Sequence, residues 1–182
     1  SPNPTPTSPK RVAISPDAVD AAADGTGPVG LLLVVTLLLA AIGLADDLVR
    51  GIPVAVRLLG QALVAFGVVA PWVLAQHPTP SDLGAVALAV GAAVALIGFV
   101  NVFNFMDGVD GMSGSVAAVM GLHLAALGVR EDQAALVVVG VVVAGAAAGF
   151  LPLNLRPTTV FLGDGGSYFL GGWLATAGIL AV

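Results

Sequence analysis

The chemistry in this chain gathers at Asn101-Val-Phe-Asn104-Phe-Met-Asp107-Gly-Val-Asp110-Gly111, two amides and two carboxylates at three-residue steps between long apolar runs. Three-residue steps follow one ridge of a helix, and Gly108 and Gly111 remove side chains where a ligand would approach the backbone. Two further knots have the same character. Asp46-Asp47 ends an apolar run and is followed by Arg57 and Gln61; Asp164 stands among glycines in Phe161-Leu-Gly-Asp164-Gly-Gly-Ser167. Polar groups this dense beside hydrocarbon-length segments mark functional sites.

The residue types suggest phosphate and metal chemistry. Two carboxylates at a helix C-terminus oppose the macrodipole, so Arg50, Arg57 or a divalent cation is expected beside Asp46 and Asp47. Asp164 opens an apolar run, where backbone N–H groups favour anions. A hard carboxylate oxygen next to them suits Mg²⁺ shared with a pyrophosphate. The competing reading of Asp164 is an N-capping turn, and that of Asp46-Asp47 a solvated helix stop. His77 and His123 read as structural, His123 lying about 18 Å along its helix from Asp110.

The elements that must position these residues are membrane helices. Of the 182 residues, 58% are hydrophobic and 9% charged, against about 45–50% and about 25% in soluble domains, and the mean hydropathy is +1.03. After a Pro-, Ser- and Thr-rich tail at 1–28, expected to be disordered, the membrane domain is 29–182. Its apolar runs predict an all-α, multi-pass bundle of about six spans: 29–45, 54–75, 83–100, 113–129, 134–153 and 165–182. Trp72 reads as an interfacial anchor, and Gly145-Ala-Ala-Ala-Gly149 as a helix-packing face.

Each crossing changes side, so the stretches at 46–53, 101–111 and 154–164 share one face. Arg50, Arg57 and Arg156 lie on or beside it and Arg130 opposite, which makes that face cytoplasmic. A net charge of −5 argues against nucleic acid, and the lack of cysteine excludes disulfides and thiolate chemistry.

Taken together, Gly43-Leu-Ala-Asp46-Asp47 with Arg57-Leu-Leu-Gly-Gln61, Asn101 to Gly111, and Gly149-Phe-Leu-Pro-Leu-Asn154 with Phe161 to Ser167 resemble the polyprenyl-phosphate N-acetylhexosamine-1-phosphate transferases, glycosyltransferase family 4. The resemblance covers roughly residues 40 to 175, the middle of a longer multi-span fold. It implies an Mg²⁺-dependent transferase that moves a sugar-1-phosphate from a UDP-N-acetylhexosamine to undecaprenyl phosphate at the bacterial plasma membrane, releasing UMP for cell-envelope polysaccharide synthesis.

By that resemblance Asp164 is a metal ligand and Asn104 lies beside metal and pyrophosphate. Asp110 helps hold uridine, with Asn101 and Arg57 also among the substrate-binding residues. Asp46 or Asp47 positions or deprotonates the lipid phosphate, and Asp107 is the nucleophile of an alternative two-step scheme; direct attack by the lipid phosphate is the favoured reading. The 104–111 motif looks closest to the O-antigen and exopolysaccharide initiators, and a homodimer is compatible with this reading.

The chain departs from the family in carrying Arg57 where a lysine is usual. The family's first spans, and its later spans with a histidine-containing loop, have no counterpart, so the chain is expected to be a fragment with little activity alone. The alternatives are an inactive member of the fold and an ion-coupled transporter fragment, whose polar residues would lie near the membrane midplane.

Overall fold

A computed structural model describes residues 27–49, 51–79, 81–155 and 160–181. All but the end of the expected tail lies outside them, as do Arg50 and Arg156. Six helices follow in order: α1 (Pro28–Val49), α2 (Val54–Ala75), α3 (Leu83–Met106), α4 (Met112–Arg130), α5 (Ala134–Asn154) and α6 (Gly163–Leu180).

Helices α1 to α5 are long and apolar enough to cross a membrane. Helix α6 is not among them, although six spans were expected. Its first turn, Gly163-Asp164-Gly-Gly-Ser167, is polar and glycine-rich and lowers its hydropathy. Exposed leucines and valines on the outer surface, among them Leu37, Leu63, Val94, Leu122 and Val141, suit a lipid surround, where apolar exposure costs nothing.

Helix α6 is the internal member. It packs along α1 and against α3, while α2 lies on α3, and α4 and α5 form a hairpin. One core joins Leu31, Val35 and Leu39 of α1 with Val64 and Val69 of α2, Leu96 and Val100 of α3 and Tyr168 of α6. The second joins Leu32 and Phe103 with Ala117, Leu124, Leu136, Val143 and Leu174.

Backbone approaches depend on glycines. A Cβ on Gly171 would come within 3.2 Å of the α3 backbone at Val100, and one on Gly140 within 2.4 Å of Ala125 N. The Gly145–Gly149 face is not used in this way: a Cβ on either glycine would meet nothing within 4 Å. Gly121, Gly128 and Gly140 bring α4 and α5 together instead.

Helix α2 widens to a π-turn over Ala65–Val69. Pro71 causes this, since it lacks an N–H and its ring clashes with the carbonyl four residues back. Trp72 lines a half-open apolar cleft with Leu88, Phe99, Leu174 and Ile179, with His77 at one end. It is half-buried against the core, so it does not act simply as a surface anchor.

Candidate functional site

The polar residues sit in helix ends rather than in loops. Helix α3 continues past the expected boundary at 100 to Met106, so Asn101 and Asn104 occupy its last two turns and Asp107 caps it. The three-residue ridge stops there. Asp110 lies beyond the helix, exposed, in the turn that Gly111 closes at φ +75°, and it makes no hydrogen bond or ion pair among the described residues.

Arg57, in the first turn of α2, joins two helices. Its Nη1 donates to Asp46 Oδ2 of α1 and, at 3.2 Å, to Asp164 Oδ2 of α6, 107 residues away in sequence. A cation was expected beside Asp46-Asp47, and Arg57 supplies it for Asp46 alone. Asp47 turns to the start of α6, where its carboxylate accepts the N–H of Asp164 at 3.1 Å and that of Gly165 at 2.9 Å. The anion at this helix N-terminus among the described residues is therefore Asp47.

Asn101 donates through Nδ2 to Gln61 Oε1 and to the Ile97 carbonyl at 2.8 Å, which ties α3 to α2. Gln61 is 1% exposed. Its Nε2 and Arg57 Nε are buried donors without an acceptor among the described residues, a situation that native structures normally resolve with a water or ligand. Asn104 lies near the buried Tyr168 phenol, which is one turn along α6 from Asp164.

Asn154, which closes the Gly149–Asn154 motif, and Ser113, which was not singled out from the sequence, complete the frame. Ser113, fully buried at the start of α4, donates to Asp107 Oδ1 at 2.6 Å. Burial raises the Asp107 pKa above the usual carboxylate range and the Ser113 hydrogen bond works against that shift. Asn154, the last residue of α5, accepts the Gly111 N–H at 2.6 Å and donates to the Val160 carbonyl at 3.1 Å, clamping the two segments that carry Asp107 and Asp164. The only advance signal for Ser113 was a polar residue at the edge of an apolar run, whereas Asn154 ends one of the motifs that carry the family resemblance.

The arrangement fits a hard cation. Asp164, outside the five candidate spans, has its pKa raised to about 6, first by burial and then by the Asp46 and Asp47 carboxylates, with Arg57 pulling it down. Negative charge here exceeds what Arg57 offsets. No group of three or more carboxylate or imidazole side chains converges on a metal position among the described residues. Magnesium is commonly held by one or two carboxylates together with substrate phosphates, and Asp164 could supply one of them. The histidines do not take part: His77 borders the cleft and His123 is exposed on the outer face of α4.

Comparison with known proteins gives the same family as the motifs. The model of glycosyl transferase family 4 matches residues 29–182. The phospho-N-acetylmuramoyl-pentapeptide-transferase of Carboxydothermus hydrogenoformans is 31% identical over 173 residues, covering 82% of this chain and 53% of the relative. Those of Geobacillus sp. (strain WCH70) and Bacillus subtilis (strain 168) are 34% and 32% identical, over 82% of this chain and 51% of each relative. The chain thus spans about half the length of the curated relatives it matches. Their names lie in the muramoyl-pentapeptide branch and lend no support to the O-antigen leaning of the 104–111 motif. With its motifs gathered at one end of a helical bundle and a match running from residue 29 to 182, this multi-pass membrane chain belongs to glycosyl transferase family 4.

Proposed function

We propose that the chain carries the phosphate-handling centre of an enzyme that transfers an N-acetylhexosamine-type sugar-1-phosphate from a UDP-sugar to undecaprenyl phosphate. The site faces the cytoplasm of a bacterial plasma membrane, following span parity and the positions of Arg50, Arg57 and Arg156. The observation that carries this reading is Arg57, which gathers Asp46 and Asp164 from separate helices at one end of the helical bundle.

In this reading an oxygen of the lipid phosphate bonds to the phosphorus attached to the sugar. The bridging P–O bond to the uridylate then breaks, and UMP leaves. Arg57 holds phosphate oxygens through a guanidinium that stays charged, and its free Nε and the Gln61 Nε2 are donors in search of acceptors. Asp46, paired with Arg57, positions the lipid phosphate, which attacks in its deprotonated form. Asp107 is held in place by the Ser113 hydroxyl, and Asn104, Asn101 and Asp110 line the nucleotide end. Mg²⁺, when bound, would be held by Asp164 with Asn104 nearby and would offset charge on the transferring phosphoryl group. The location answers a physical need, because one substrate is a soluble nucleotide and the other is anchored in the bilayer.

The test is UMP release by the complete natural reading frame in detergent with undecaprenyl phosphate. UDP-N-acetylglucosamine and UDP-N-acetylmuramoyl-pentapeptide are supplied as rival donors, with and without EDTA. The proposal expects lipid-dependent, EDTA-sensitive release with one of them. Absence of release with both, or release that ignores the lipid, would refute it.

A further inference from the structure

Asp46 and Asp47 are neighbours in sequence, yet they meet different groups. Asp46 pairs with Arg57, whereas both oxygens of Asp47 are taken by the backbone of α6. The N-cap position of α6, Leu162, offers no side-chain hydrogen bond, and the first N–H groups of a helix have no partner within it. Asp47 satisfies two of them from another helix, with a charge that the helix dipole favours.

Glycines on both helices make room for this contact, although Asp47 itself stays exposed to solvent. A Cβ on Gly43, one turn before Asp47, would stand 2.2 Å from the Asp164 carbonyl oxygen. Side chains at Gly163, where φ is +68°, and at Gly165 would come within 3.0 Å and 3.3 Å of Asp47 Oδ2. Three glycines thus clear the space in which the end of α1 meets the start of α6.

We propose that Asp47 is a positioning residue: it fixes the backbone of Asp164 across helices and neither touches the transferring phosphate nor takes a proton from it. The two adjacent aspartates therefore divide the work, with Asp46 on the Asp164 side chain through Arg57 and Asp47 on the Asp164 main chain. This deepens the proposed transferase reading and rests on it for its kinetic consequence, while the cap itself does not depend on the reaction.

The experiment has two readouts on the complete natural protein in detergent. The first is amide hydrogen exchange of a peptide covering residues 161–168. Loss of a cap typically costs about 1 kcal/mol, so Asp47→Ala should speed exchange at Asp164 and Gly165 about fivefold. Asp47→Asn keeps an acceptor oxygen and should stay within about twofold.

The second readout is the separation of kcat from KM. Asp47→Ala should lower kcat about tenfold with KM for both substrates unchanged, and Asp47→Asn should restore kcat to within about threefold of wild type. A proton-accepting Asp47 would instead make Asn as damaging as Ala, at about a hundredfold or more, and that result would overturn the proposal. Unchanged exchange in Asp47→Ala would overturn it as well. Should Asp47→Ala aggregate, Asp47→Ser takes its place with the same expectations. Lack of UMP release by the wild type refutes the transferase reading alone, since exchange still decides the cap.

Discussion

Two of the helix pairs that approach closely through glycine make a contrast, and only one of these two ends in charged groups. Helices α4 and α5 are consecutive, joined by a short turn in which Asp132 adopts φ 58°, and a Cβ on Gly121 would lie 2.7 Å from Ala144 N. Helices α1 and α6 are far apart in sequence, and a Cβ on Gly43 would lie 2.2 Å from the Asp164 carbonyl. The hairpin seam is apolar, with Ala117, Leu124, Leu136 and Val143 in one core. The α1–α6 contact ends in Asp46, Asp47 and Asp164 with Arg57 against them. Small residues bring backbones together at both pairs, then, but charged groups gather only where helix ends deliver them to the same place.

The largest effect should come from the charged end of the α1–α6 pair. Asp164→Asn keeps shape and hydrogen bonding but removes the charge that a hard cation prefers. We expect turnover to fall about a hundredfold or more, with Asp82→Asn at the far end near wild type. UMP release against Mg²⁺ concentration, with folding checked by gel filtration, is the measurement; turnover within threefold would remove Asp164 from the reaction.

Gly43→Ala comes next, because its Cβ would collide with backbone that cannot yield without moving Asp164. Overpacking of this kind costs about 1–3 kcal/mol. We expect both a lower thermal midpoint and about a tenfold loss of turnover per folded molecule.

Gly140→Ala makes the sharpest contrast. Its Cβ would sit 2.4 Å from Ala125 N, so the stability loss should match that of Gly43→Ala, at about 1–3 kcal/mol, while turnover per folded molecule stays within threefold. Equal loss of turnover in both variants would show that the two helix pairs are not functionally distinct.

Ser113→Ala should have the smallest effect. Removing one hydrogen bond to a carboxylate costs about 1.5–3 kcal/mol at most, and Asp107 is partly solvent-exposed, so a fall of about fivefold in kcat/KM is expected. Steady-state kinetics on both substrates would show it, and an unchanged value would mean that Asp107 needs no orientation.

The sequence revealed the helical membrane fold because apolar runs of spanning length leave few alternatives. Asp46, Arg57, Asn101, Asn104, Asp107 and Asp164 stood out because charge and amides are costly beside such runs. The division between Asp46 and Asp47 was not legible, since adjacent residues differ by about 100° around a helix and nothing local says which neighbour each will face. The contacts of Asn154 and Ser113 were hidden for a related reason: their partners, Gly111, Val160 and Asp107, come from other elements. Helix α6 was read as one more span from its apolar second half, although its polar first turn belongs to the site.

The central claim is that Arg57 and Asp164 belong to one composite site, and a double-mutant cycle tests it most directly. Arg57→Gln, Asp164→Asn and the double variant are compared by kcat/KM for UMP release in the complete natural protein. Groups that act as a unit are strongly non-additive, so the double variant should lie within about threefold of the worse single variant. If the two losses multiply instead, Arg57 and Asp164 act independently, and the shared site is contradicted.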